Sequence, residues 1–250
     1  MEYEALWEGV AASVMSSKAL RVGRDKNIAY QERPSDSPFV EHVWHTQSEL
    51  DDEFLGAADS RWDMMILQTD GETRFMVTGP MTRPQTLPHI AGSEWLGIRF
   101  KLGVMMPHLL ASKLVDDGVE LVQASGNAFW LKSAAWETPN FDNADTFVDR
   151  LMRQDLLISD QMVENVLQGY THDWSPRSIQ YHFTQSTGLT QKTIQQIERA
   201  KQAAALLECG VPILDTAFQL GYFDQAHLTN SLKRFRGQTP AQIIKDAQAK

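Results

Sequence analysis

The stretch Gly221–Pro240, GYFDQAHLTNSLKRFRGQTP, decides how the C-terminal part of this chain is read. Asp224 is a good helix N-cap, and Leu228, Leu232 and Phe235 follow at i, i+4 and i+7, the spacing of a buried helical stripe. Gly237 stands where a helix stop is expected, and Thr239 before Pro240 reads as the cap of a further helix. Lys233, Arg234 and Arg236 fall on this short helix, inside a chain whose formal net charge is −9. Its basic face is either a nucleic-acid reader or an ordinary solvated surface.

Upstream, the same frame occurs 49 residues earlier. Ser175 matches Asp224, Ile179 matches Leu228, and Phe183 matches Leu232. Gly188, Thr190 and Ile194 then match Gly237, Thr239 and Ile243. Six matches at one offset indicate two copies of one helical unit. Between them, TQKTIQQIERAKQAAALLECG carries a stripe of Ile194, Ile197, Ala204 and Leu207 and predicts a long helix ended by Gly210. PILDTAFQLG then predicts a short helix from Pro212, with a tight turn into the second copy. QMVENVLQGY, the THDW turn and SPRSIQYHF give the first copy the same helix–turn–helix layout.

With the apolar stripes turned inward, Arg177, Gln180, Tyr181 and Thr184 remain outside on the first helix. Gln225, Ala226, Thr229, Asn230 and Lys233 remain outside on the second. Arg, Gln, Asn, Thr and Lys carry the donors and acceptors that meet base edges and phosphates in a major groove. Lys233, Arg234, Arg236, Lys192 and Lys201 would supply phosphate attraction. From Ser175 to Lys245 eight basic residues face four acidic ones, so the acidic excess lies elsewhere in the chain. That asymmetry suggests two domains with different partners.

These residues resemble the DNA-binding domain of AraC/XylS-type transcription regulators. The likeness covers roughly residues 160–245. It rests on Ser175–Phe183, Gly188-Leu-Thr, Arg199, Ala203 and Leu206-Leu207 in the connecting helix, Ile213 with Ala217, Gly221–Leu228, Lys233-Arg234-Phe235 and Gly237–Pro240. The resemblance implies two helix-turn-helix units on one linker helix, with both recognition helices entering successive major-groove segments of double-stranded DNA. It places base-facing positions at Arg177, Gln180, Tyr181, Gln225, Ala226 and Asn230. The family usually has arginine where this chain has Tyr181 and Asn230. Asn reads adenine and Tyr reaches a phosphate or a thymine methyl, which leaves open either a different preferred sequence or a weaker, degenerate readout.

Ahead of this region, β-type runs begin at Phe39 (FVEHVWHT), Trp62 (WDMMILQT), Thr73 (TRFMVTG) and Glu94 (EWLGIRFKLG), separated by TDGET and GPMTRPQTLPH. They predict a β-sandwich or small barrel. A weak helical stripe is read at Leu6, Val10 and Val14, and helical runs at PHLLASKLVDD from Pro107, ADTFVDRLMRQDLLI from Ala144 and DQMVENVLQGY from Asp160. The expected class is α+β: a β-rich domain over 1–143 and an all-α domain over 144–250. The resemblance implies that the first is a sensor, often a cupin-like β-barrel, and GPMTRPQTLPH resembles N-terminal domains of a subset of these regulators.

Trp44, Trp62 and Trp95 are the candidate walls of an effector pocket, although such residues are more often plain core. His42 and His45, three apart on a strand, point to opposite faces and make poor joint metal ligands; His89 and His108 are isolated. Neither a phosphate loop nor a nucleophile elbow is present, so no catalytic residue, metal or cofactor is expected. Cys209 is the only cysteine, which excludes an intramolecular disulfide and suits a reducing cytoplasm. MEYEALWEGV has no basic-then-apolar leader, and no apolar run approaches the roughly 18–20 residues needed to cross a bilayer. The expected function is a sequence-specific DNA-binding transcription regulator with a small-molecule effector, for which RNA polymerase and a second copy are further conceivable partners. The rivals are a cupin-type metal-dependent enzyme and a protein-interaction module that has lost DNA specificity.

Overall fold

The computed structural model describes residues 21–22, 28–69, 71–170 and 174–249. The stripe expected at Leu6, Val10 and Val14, residues 171–173 of the THDW turn and the side chain of His89 lie outside them. The strands are β1 (Arg21–Val22), β2 (Ile28–Pro34), β3 (Val40–Ser48), β4 (Asp52–Gly56), β5 (Asp63–Thr69), β6 (Glu72–Thr78), β7 (Gln85–His89), β8 (Glu94–Phe100), β9 (Val104–Met105), β10 (Gly118–Leu121), β11 (Ala128–Leu131), β12 (Ala134–Glu137) and β13 (Ile158–Ser159). The helices are α1 (Ala144–Arg153), α2 (Gln161–Leu167), α3 (Pro176–Thr187), α4 (Gln191–Glu208), α5 (Ile213–Gln219), α6 (Gln225–Arg236) and α7 (Pro240–Gln248).

The four β-type runs read from the sequence are β3, β5, β6 and β8. They sit side by side in a six-stranded antiparallel sheet of order β10-β6-β5-β8-β3-β2. A second sheet has the order β1-β4-β7. Strand alternation gives the larger sheet two distinct faces. One carries Val43, Met64, Ile66, Phe75, Val77 and Ile98, all buried, and packs with Phe129, Leu131 and Trp136 of the β11–β12 hairpin. The other carries Trp44, Thr46, Trp95, Gly97 and Arg99: Thr46 lies opposite Trp95, Trp44 opposite Gly97, and His42 opposite Arg99.

One sequence expectation is corrected here. PHLLASKLVDD forms only a 3-10 turn at Ala111–Lys113, because its polar backbone is drawn into tertiary bonds. Asp116 donates its amide to the Pro80 carbonyl, and its carboxylate accepts from the amide and hydroxyl of Thr82. Gly79 donates to Asp117, and a Cβ there would overlap the backbone of Leu114. Helix α1, the first element after the expected border at residue 144, packs on the sheet. Ala144, Phe147, Val148 and Leu151 are buried in the same cluster as the sheet, with Phe147 edge-on to Trp136. The second apolar cluster takes in Val163, Val166 and the helices that follow.

The indole of Trp44 lies across Gly97 so closely that a Cβ on Gly97 would overlap it. Gly97→Ala must therefore displace a bulky ring or bend a central strand. It should destabilise the fold by about 1–3 kcal/mol, read as a lowered midpoint in denaturant unfolding followed by tryptophan fluorescence.

Candidate nucleic-acid interface

The two helical units share their local construction. Ser175 Oγ accepts from the amide of Ser178 at 3.1 Å, and Pro176 opens α3. Asp224 Oδ1 accepts from the amide of His227 at 2.7 Å and opens α6. Gly188 and Gly237 end the two helices in the left-handed region, with φ of 74° and 73°. Thr190 caps α4, and Thr239 with Gln242 forms a capping box on α7. The frame seen at an offset of 49 is thus a repeat of caps, stripe and stops.

Burial separates the two sides of each helix. Phe183, Leu228, Leu232 and Phe235 are buried around Ile194, Ile197, Ala200, Ala204 and Leu207 of the linker helix α4, with Ile179 partly buried beside them. Arg177, Gln180 and Tyr181 are exposed on α3, and Gln225, Ala226, Asn230, Lys233 and Arg234 are exposed on α6. Thr184 and Thr229 are half-buried. Each hydroxyl donates to the carbonyl four residues back, of Gln180 and Gln225, leaving a methyl and an acceptor lone pair for a ligand. At the repeat offset Arg177 matches Ala226, Gln180 matches Thr229, Tyr181 matches Asn230, and Thr184 matches Lys233. The same positions are outward in both copies.

Each unit is also fastened. His182 Nδ1 lies 2.8 Å from Asp160 Oδ2, tying α3 to the carboxylate that caps α2. Tyr222, buried in the second turn, meets Ser231 Oγ at 3.1 Å and lies under the Arg199 guanidinium of α4, 4.4 Å from ring centroid to Cζ. These contacts orient the outward faces.

The basic set is smaller than the sequence suggests. Lys192, Lys233 and Arg234 are exposed, but Lys201 is buried and ion-paired with Asp59 at 2.5 Å. Arg236 is buried with Glu208 at 3.0 Å; burial depresses its basicity and Glu208 partly restores it. Neither can present its charge to a phosphate. Three large apolar side chains on the second unit escaped sequence reading: Leu214, Phe218 and Phe223 are exposed, Phe223 at 91%. Leu214 and Phe218 sit four apart on α5, a spacing that sequence alone would assign to a core stripe.

The three tryptophans named as pocket walls do not stand together. Trp62 belongs to the core, stacked on Phe100 at 4.2 Å, with its Nε1 donating to the Val104 carbonyl at 2.6 Å. Trp44 and Trp95 share the opposite face with Thr46 and His42. On that face His42 Nε2, Trp44 Nε1, Thr46 Oγ1 and Trp95 Nε1 are buried with no hydrogen-bond partner. Burial, then the neighbouring Arg99, pushes the His42 imidazole below its ordinary basicity. His42 and His45 do face opposite ways, and among the described residues no group of three or more His, Cys, Asp or Glu could hold a metal ion. No described helix is long and apolar enough to cross a membrane.

Residues 173–246 match the family described as a helix-turn-helix domain. An uncharacterized HTH-type transcriptional regulator of Bacillus subtilis (strain 168), YbfI, is 42% identical over 55 residues, 22% of this chain. The chain spans about a fifth (20%) of that relative's length. Among solved structures, ToxT from Vibrio cholerae O395 is 11% identical over 90% of this chain and 100% of its own, with a TM-score of 0.34. An apo variant of ToxT from strain SCE256 gives 9%, 90%, 100% and 0.37. The paired caps, the shared linker helix and the sequence match agree: the C-terminal part of this chain is a helix-turn-helix domain, with two such units on one linker helix.

Proposed function

We propose that this chain is a sequence-specific transcription regulator that reads double-stranded DNA with α3 and α6 and answers to a small-molecule effector through its β-rich, cupin-like part. The observation that carries the DNA reading is the repeated outward face, polar and uncluttered on both helices while the inward face packs on the linker helix. Arg177, Gln180 and Tyr181 would meet one major-groove segment. Gln225, Ala226 and Asn230 would meet the next, about one helical turn along the duplex. Lys233, Arg234 and Lys192 supply the attraction to phosphates, and the acidic remainder of the chain confines DNA to this side. The functional division runs between the sheet with α1 and the helices from Gln161 onward.

The effector reading rests on the sheet face of Trp44, Thr46 and Trp95. A buried polar atom without a partner costs about 1–3 kcal/mol, and four of them share this face. Two indole N–H groups, a hydroxyl and an imidazole suit a small ligand rich in acceptors, held between the indole rings.

Footprinting on genomic fragments at low salt is the primary test of the DNA reading, and a lack of any protected site rejects it. On a protected site, Gln180→Ala should relax preference at one base pair by about 1–3 kcal/mol, whereas Lys233→Ala should weaken all sequences alike and lower the salt slope by about 1. For the sheet face, Thr46→Val should leave stability within about 1 kcal/mol of the parent, because no hydrogen bond is lost. A loss of several kcal/mol in denaturant unfolding would mean that the hydroxyl serves the fold.

A further inference from the structure

The loop between β4 and β5 belongs to neither reading unit, yet it enters the helical core. Ala58 is buried in the cluster built on α4, and its amide donates to the Phe235 carbonyl in the last turn of α6 at 2.7 Å. The next residue, Asp59, accepts from Lys201 Nζ at 2.5 Å and pairs with Arg99 Nη1 at 2.6 Å. Ser60 Oγ donates to Glu198 at 2.6 Å, and Arg61 bridges Glu198 and Glu41. The middle of the linker helix is therefore held through two groups of opposite sign, Glu198 and Lys201, one turn apart.

Each reading unit also has its own anchor on the β-rich part. For the first, β13 pairs with β9, and the Asp160 amide donates to the Gly103 carbonyl at 2.8 Å. Gly188, the stop of α3, lies so near the 3-10 turn that a Cβ there would stand 2.6 Å from the Ala111 carbonyl oxygen. For the second, a Cβ on Gly237, the stop of α6, would stand 2.8 Å from Leu55 Cδ2 and 3.4 Å from Pro84. The same repeat position is pressed against the same body in both copies.

We propose that the β-rich part is a splint that fixes the spacing and angle between α3 and α6, with the Asp59–Lys201 pair as its central pin. This rests on the reading of α3 and α6 as recognition helices. Tied at three places to one body, the two helices can fit only one separation of half-sites on DNA. Without the pin, only α4 and the two end contacts relate them, and the separation becomes adjustable. The pin is also wired to the sheet: Arg99, which holds Asp59, lies opposite His42 on the face of Trp44 and Thr46. An effector bound there would act on the ruler through Arg99 and Asp59.

The test uses the full chain with Lys201→Met, which removes the pin's charge, and separately Leu55→Ala, which removes an end contact and leaves the charges intact. Circular dichroism and cooperative unfolding establish that each variant is folded. In a Cys209→Ser background, spin labels on Gln185→Cys, exposed on α3, and on Ala226→Cys, exposed on α6, report the relation of the units without DNA. The wild-type frame should give one narrow distance, and both variants a broad one. A duplex selected by the wild type from a random-sequence library is then lengthened by one base pair between its half-sites. Wild-type affinity should fall about 10- to 100-fold, the size of a lost base contact, and the variants should lose several-fold less. Narrow, unchanged distances in both folded variants overturn the splint, as does an unchanged spacing preference. Broadened distances with no duplex selected by the wild type uphold the splint and reject the DNA reading.

Discussion

A carboxylate that is 2% exposed holds this molecule in its arrangement. Burial alone would push Asp59 toward neutrality, but Arg99, Lys201 and Arg61 hold it well below the usual carboxylate range. Arg99 in turn grips Asp63 with two hydrogen bonds, at 3.0 and 2.7 Å, and its own basicity is raised despite burial. Because the Asp59 pKa is depressed, its contribution to stability is present at neutral pH and is lost only as acid carries the pH down through the folded value. A buried ion cluster is a weak source of net stability, since each charge has been taken out of water. Removing one partner, however, costs about 3–5 kcal/mol because the other is stranded. What the cluster supplies is registry: the loop after β4 can meet α4 in one way, and everything docked on α4 follows.

The helical part was legible because its signals are local. Caps at Ser175, Thr190, Asp224 and Thr239, stops at Gly188 and Gly237, and stripes such as Leu228–Leu232–Phe235 each lie within one or two turns of the residues they control. The central strands were legible for the same reason, as in β6, where Phe75 and Val77 alternate with more exposed neighbours. The helical pattern from Pro107 misleads because Gly79, Pro80 and Thr82 capture Asp116 and Asp117 from more than thirty residues away. The packing partner of α1 is not legible, because an amphipathic stripe names no partner; only the arrangement of Phe129 and Trp136 shows what it covers. The ion cluster was wholly hidden. Asp59 and Lys201 are separated by 142 residues, and Lys201 read as one more basic residue on a polar helix.

That concealment changes the electrostatic argument. Counted along the sequence, the helical region is a basic patch on an acidic chain, and each cation contributes equally to attraction for DNA. In the fold, Lys201 and Arg236 are spent on Asp59 and Glu208 inside the protein, so the outward field comes from the other six, chief among them the exposed Arg177, Lys192, Lys233 and Arg234. These four lie on or beside the two repeated faces, so the weaker field is also the better aimed one. A binder of this kind depends less on bulk charge and more on the placement of α3 and α6.

Placement is where the repeat and the joint meet. A helix stop requires a residue at ease with φ near +74°, which favours glycine for backbone reasons alone. At Gly188 and Gly237 the absent side chain has a second consequence, because it lets the Ala111 carbonyl and the Leu55 side chain approach the ends of the two helices. One residue type, at one position of a duplicated unit, thus ends each helix and seats it on the β-rich body. The same position cannot be altered to loosen the seat without also straining the stop. The charges at Asp59, Lys201, Arg61 and Glu198 carry no such double duty, which makes the ionic joint, rather than the glycine seats, the part of the interface free to be tuned.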